Sequence, residues 1–127
     1  MPHTLSWEKN GVNRNFSGDL TAGEILISNF TIYELPKFKD IKYIINDFRD
    51  VTSFTVENDD TKIYAETDDI ISRTKGNLLI AIVATHHKHI ALATNYQKEL
   101  TNKLFKCEVF NTLDDAQKWV ASTPPNS

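Results

Sequence analysis

Lys42-Tyr43-Ile44-Ile45-Asn46-Asp47-Phe48-Arg49-Asp50-Val51-Thr52-Ser53-Phe54 is the stretch on which the fold reading turns. A short apolar strand, Lys42-Tyr43-Ile44-Ile45, runs into a polar loop and from there into a helix. It carries Asp47, Arg49 and Asp50 to the carboxyl end of the strand, the edge at which open α/β sheets usually meet ligands and partners. The stretch points to an architecture more sharply than to an activity.

Upstream, Thr4-Leu5-Ser6-Trp7-Glu8 and Val12-Asn13-Arg14-Asn15-Phe16 read as two antiparallel strands with one wet face. Asn10-Gly11 between them suits the positive φ angles of a tight hairpin. Thr21-Ala22-Gly23-Glu24 has capping-box spacing. The helix it opens carries Ala22, Ile25, Leu26, Ile32 and Tyr33 on one stripe, and Pro36 stops it. Asn29 falls inside that stripe and needs a hydrogen-bond partner there, whereas Ile27 lies outside it and is expected to be exposed.

Downstream, Asn58 is expected to cap a second helix. Asp59 and Asp60 stand in its first turn, where the dipole favours negative charge. Ile63, Tyr64, Ile70 and Ile71 supply its apolar side, and Gly76 fits a left-handed stop. Residues 78–84 are continuously apolar, as in a central parallel strand covered on both faces. Thr85 is expected to begin a third helix with the stripe His89, Leu92, Ala93, Tyr96 and Leu100. Residues 104–110 form a fifth strand. Thr112 caps a last helix carrying Leu113, Ala116, Trp119 and Val120, with Trp7 and Trp119 as core anchors. The order β-β-α-β-α-β-α-β-α predicts an α/β domain: a five-stranded, mostly parallel sheet with right-handed crossovers, an N-terminal antiparallel hairpin and about four helices. It fills residues 1–121, and 122–127 read as a tail.

A chain of 127 residues is long enough for a self-sufficient core. The net charge of −3 and the absence of a basic stripe argue against nucleic acid as a partner. A single cysteine, Cys107, excludes an internal disulfide and makes a reducing cytoplasm the expected location. Its neighbours Phe105 and Val109 suggest a buried, inert thiol. No export signal is visible at the start, and the longest apolar run is far short of a membrane helix.

The order of elements resembles the STAS (anti-sigma-factor antagonist) fold, in particular the small stand-alone SpoIIAA-like proteins. Three segments carry the resemblance: Phe16-Ser17-Gly18-Asp19-Leu20-Thr21, residues 43–51, and residues 109–120 with Asp114-Asp115-Ala116-Gln117-Lys118-Trp119-Val120. Signalling members carry a phosphorylated serine directly after an aspartate in the loop following the third strand. Here that loop reads Ser53-Phe54-Thr55-Val56-Glu57; the Asp-Ser pair is absent, and the matching positions are Thr55 and Val56. Five acids against the single base Arg49 between Asp47 and Asp60 also oppose an added phosphate. The resemblance implies a non-enzymatic domain that binds a protein partner through Asp47, Arg49, Asp50, Ser53, Phe54, Thr55 and Glu57, with Phe54 as an apolar anchor. Likeness of some SpoIIAA-like proteins to lipid-binding CRAL-TRIO domains implies the alternative, a binder of apolar ligands or membrane surfaces using a cleft beside the first or third helix. A homodimer is left open.

No catalytic set stands out. No Gly-x-Ser-x-Gly elbow surrounds Ser17, Ser53, Thr55 or Thr85, and no glycine-rich phosphate loop is present. His86-His87-Lys88-His89 invites zinc, but no acid or cysteine lies adjacent to complete a tetrahedral set. His89 reads as a hydrogen-bonded, partly buried residue of the helix stripe. No cofactor and no metal are expected.

Overall fold

The computed structural model describes residues 3–124; the first two residues and the last three, which belong to the expected tail, lie outside the described residues. Strands β1 (His3–Trp7), β2 (Gly11–Thr21), β3 (Tyr43–Thr55), β4 (Leu78–Val83) and β5 (Phe105–Phe110) form one sheet in sequential order. Helices α1 (Ala22–Glu34), α2 (Asn58–Lys75) and α3 (His87–Glu99) connect the parallel strands, and α4 (Leu113–Ser122) follows the last. Only β1 runs antiparallel.

Sequential order explains the layering. Right-handed crossovers that always step in the same direction put every connecting helix on the same face. α1, α2 and α3 therefore share one core with Val12, Phe16, Ile44, Ile80 and Ile82. α4, which crosses nothing, closes a smaller core on the other face over Ile45, Ala81 and Val83. β4 lies between these cores, and all six of its residues are buried, as its unbroken apolar run anticipates.

The third strand differs from the expected strand-then-loop. It runs on through Thr55, paired with β2 as far as Thr21↔Thr55, while its pairing with β4 ends at Asp47↔Val83. Phe48, Val51, Thr52, Phe54 and Thr55 are β-branched or aromatic and fit a pleated surface, and this outweighs the intervening charges. β2 and β3 thus project past the sheet as a two-stranded arm. The expected loop is that arm.

Local chemistry sets the remaining boundaries. Thr21 accepts from the Glu24 amide at 3.2 Å, and Glu24 receives the Thr21 amide at 2.9 Å, so the capping box forms as read. α1 ends before Pro36, which opens a short 3-10 turn. α2 is capped at Glu57 and not at Asn58: Asp60 accepts the Glu57 amide at 2.9 Å, which places Asn58 inside the first turn. α3 starts two residues later than expected, at His87 and not at Thr85, with His86 as its cap: His86 Nδ1 accepts the Lys88 amide at 3.2 Å. Gly76 ends α2 at a φ of 82°, as the stop required.

The buried side of α2 matches its apolar residues only in part: Tyr64 is buried and Ile71 packs against the core, as read. Ile63 and Ile70 face solvent, while Thr61, Tyr64, Ala65, Asp68 and Ser72 face the sheet. Ile27 is exposed, as its place off the α1 stripe implies, and Cys107 is buried. Burial pushes the Cys107 thiol well above its ordinary value, so it is a poor nucleophile. Trp7 and Trp119 are only half-buried: they pad the edges of the two cores and do not anchor them.

The hairpin is present, with Trp7 opposite Val12 and Gly11 O accepting the Glu8 amide at 2.8 Å. Neither Asn10 nor Gly11 has a positive φ, so the glycine is not there for turn geometry. It is there for space. A Cβ at Gly11 would stand 2.4 Å from the ring of Tyr43, whose hydroxyl donates to Glu8 at 2.6 Å. Gly11→Ala is expected to displace the Tyr43 ring and cost about 1–3 kcal/mol, typical of overpacking. Urea unfolding checks the cost, and loss of the Tyr43–Glu8 bond should appear in the tyrosine ultraviolet absorbance.

Candidate functional site

The core beneath α1, α2 and α3 is not completely filled. A cavity of about 70 Å³ opens to solvent within an envelope of about 660 Å³ that includes its mouth. Ile25, Ile44, Val56, Ile80, Ile82 and Leu92 form the aliphatic part of its wall together with Ala93. Of the lining residues only Tyr33, Phe48 and Phe54 are half-buried, so the opening lies beside them.

Polar side chains converge on this apolar space from five elements. β2 alternates, so Val12, Arg14 and Phe16 all point inward, and Arg14 is buried, its guanidinium 4.7 Å from the Phe16 ring centre. Its Nε donates to Asn46 Oδ1 of β3 at 2.9 Å, and its Nη1 donates to Ser28 Oγ of α1 at 2.9 Å. Across the cavity Asp68 of α2 accepts from the hydroxyls of Tyr33 on α1 and Tyr96 on α3. One carboxylate thus ties the three helices together. No contact ion pair joins Arg14 to Asp68, yet each feels the other's charge.

Burial dominates the electrostatics. It pushes the Asp68 carboxyl up to about 6, against the opposing pull of the two tyrosine hydrogen bonds and the Arg14 charge. It lowers Arg14 to about 10, which still leaves the guanidinium charged. Tyr33 and Tyr96 are raised, first by burial and also by the Asp68 charge, so both hydroxyls keep their protons. His89 is lowered, first by burial and then by nearby His86, Lys88 and His87.

The residues expected to form a partner site fall into two groups. Phe54 turns toward the cavity, in a run of ring contacts from Phe16 to Phe48 (4.7 Å) to Phe54 (5.6 Å) to His89 (4.8 Å). Arg49, Asp50, Ser53, Thr55 and Glu57 are exposed on or just after the arm. Asp47 is buried, contrary to its expected place in a solvated loop. It accepts from Arg49 Nε at 2.9 Å and Nη2 at 2.8 Å, so this pair is already satisfied internally. Burial raises the Asp47 carboxyl, but the Arg49 hydrogen bonds outweigh it and the net shift is downward. Asp50 accepts from Asn15 at 3.1 Å.

His86, His87 and His89 do approach one another, with ring centres 4.7 and 4.9 Å apart, but no set of three metal-ligating side chains forms among the described residues. The expected hydrogen bond of His89 is replaced by its edge contact with Phe54. No helix among the described residues is long and apolar enough to cross a membrane.

Sequence reasoning missed Arg14, Asp68, Asn46 and the joint role of Tyr33 and Tyr96. The signals were there. Arg14 occupies the inward position between Val12 and Phe16, and Asp68 lies four residues from Tyr64 on the same helix row. Two tyrosines on apolar stripes require a buried acceptor.

A SpoIIAA-like crystal structure from Shewanella loihica PV-4, an uncharacterised protein of the DUF3478 family, is similar in fold to this chain. The TM-score is 0.54 at 13% identity, and the match covers 93% of this chain and 91% of the other. This chain has the SpoIIAA-like fold. No protein-family model matches it, and no curated protein does. The SpoIIAA-like architecture thus agrees with the resemblance read from the sequence.

The raised Asp68 value predicts how stability depends on pH. Unfolded, this carboxyl ionises near 4; folded, it ionises at about 6. Between those values the folded protein holds the extra proton. The contribution is therefore complete below about pH 4 and is lost as pH rises through 6, by about 3 kcal/mol in all. Urea unfolding of wild type and Asp68→Asn at about pH 4 and 7.5 checks this. The wild-type minus variant difference should fall with pH, and a constant difference would contradict the shift.

Proposed function

We propose that this SpoIIAA-like protein is a non-enzymatic binder of small, partly apolar molecules, which lodge between the sheet and α1–α3. One observation carries the reading: an apolar cavity, open to solvent, in a core that is otherwise packed. One larger side chain at Ala93, which lines the space of about 70 Å³, could fill it. A pocket walled by apolar groups with a few converging polar ones is the usual form of a small-molecule site.

Thermal unfolding with hexan-1-ol and butan-1-ol as probes tests the reading. Wild type should gain stability with ligand concentration, as binding to the folded state alone requires. Ala93→Leu, which fills the cavity, should abolish the gain. Wild-type unfolding that ignores both probes would refute ligand binding.

A second reading, docking of a protein partner, is favoured by a different observation. Beyond Asp47 the outer edge of β3 pairs with no strand among the described residues, and an open strand edge can accept another strand. Asp50 and Glu57 flank that edge with negative charge. Reversal of Arg49 would also strand the buried Asp47 carboxylate, so Asp50→Lys with Glu57→Lys makes the cleaner variant. A species retained by wild type and lost by this variant supports the reading, and identical recovery speaks against it.

A further inference from the structure

The hydrogen-bonding capacity left over in the cavity is mostly that of donors. A guanidinium carries five N–H donors. Arg14 uses Nε on Asn46 and Nη1 on Ser28, and its Nη2 meets no acceptor among the described residues. Asn46 is engaged through Oδ1 alone, which leaves its amide donors unmet. Asn29, the residue that needed a partner on the α1 stripe, makes no side-chain hydrogen bond among the described residues. All three side chains are more than nine-tenths buried and line the cavity. The acceptor across the cavity is occupied, since both Asp68 oxygens receive tyrosine hydroxyls. Against the spare donors of Arg14 and Asn46 stand only the Asn29 amide oxygen and one ring nitrogen of neutral His89, so donors are in excess.

We propose that the cavity takes a short monocarboxylic acid, its carboxyl group received by Arg14, Asn29 and Asn46 and its chain running past Phe48 and Phe54 to the mouth. The proposal rests on the ligand-binding reading and names its ligand class. A carboxylate offers two oxygens that match the fork of a guanidinium, which a lone hydroxyl or ketone does not. The volume sets the scale: about 70 Å³ is roughly half of a cavity that admits benzene, so the head and first carbons are enclosed and a longer chain emerges at the opening. A phosphate brings too much negative charge beside Asp68, and an ammonium group would face Arg14.

Asp68 gives the site a recognisable signature. Two carboxyl groups in one buried space do not both stay ionised, so binding near neutral pH takes up one proton. The groups facing Asp68 are Arg14 from β2, Tyr33 from α1, Asp69 beside it on α2, Tyr96 from α3 and Cys107 from β5. His89 on α3 also lines the cavity.

Isothermal titration calorimetry with hexanoate, and with hexan-1-ol as neutral probe, tests the proposal. Hexanoate should bind at least about tenfold tighter than the alcohol, the difference made by hydrogen bonds to a charged group. Repeating it near pH 7 in buffers of different protonation enthalpy should show uptake of about one proton, absent in Asp68→Asn. Asn29→Leu, which spares the Arg14 bonds and so the fold, should weaken hexanoate about tenfold and leave hexan-1-ol within about threefold. Arg14→Met should abolish hexanoate binding where circular dichroism shows the variant folded. Hexan-1-ol binding without hexanoate binding, or hexanoate binding unmoved by Asn29→Leu, overturns the carboxylic-acid assignment and leaves the binding site standing. Proton uptake that persists in Asp68→Asn overturns the shared-proton account. Failure of both probes to bind overturns the pocket as well.

Discussion

The parallel ladder between β2 and β3 is the constraint from which the rest follows. It runs from Gly11↔Tyr43 to Thr21↔Thr55, further than any other pairing in the sheet. Because side chains alternate along a strand, this one register decides that Arg14 and Asn46 face the helices together. Arg14 pairs with Asn46 in that register, and their side chains are hydrogen-bonded. The same ladder extends past β4, so Phe48 and Phe54 hang over the core as an outer wall. The cavity exists because two strands are longer than their neighbours.

Placing a guanidinium inside that wall has an electrostatic cost, which the helices meet. A buried charge is tolerated when hydrogen-bonded and balanced. Ser28 and Asn46 supply hydrogen bonds, and Asp68 supplies the opposite charge at a distance. Asp68 in turn is held by one tyrosine from each flanking helix. The arrangement falls short of full compensation on the arginine side only. Polar groups in a core are generally satisfied; the spare donors of Arg14 and Asn46 instead line the cavity.

Much of the architecture was legible in one dimension. The unbroken apolar run of β4, the Thr21 and Thr112 caps, the break at Pro36 and the stop at Gly76 each depend on neighbours within a few residues, and each appears in place. Errors arose where two local readings competed. Charges between Phe48 and Phe54 suggested a loop, but pairing with β2 and the β-favouring side chains made it strand. Asn58 resembles a better cap than Glu57 yet lies inside the first turn of α2, and Thr85, read as the first residue of α3, comes before its cap His86. Gly11 suggested a turn angle and turned out to be a close packing contact with a ring thirty-two positions away.

Sequence alone determined the order of elements, the class of fold and the buried faces of α1 and α3 but not that of α2, because hydrophobic period and capping are short-range properties of the chain. Tertiary structure alone decided the site. Arg14, Asn29, Asn46, Asp68, Tyr33 and Tyr96 come from five separate elements, and only strand register and helix docking bring them to one cavity. Their chemistry arises from the low dielectric and the shared space they meet there, which no single segment contains.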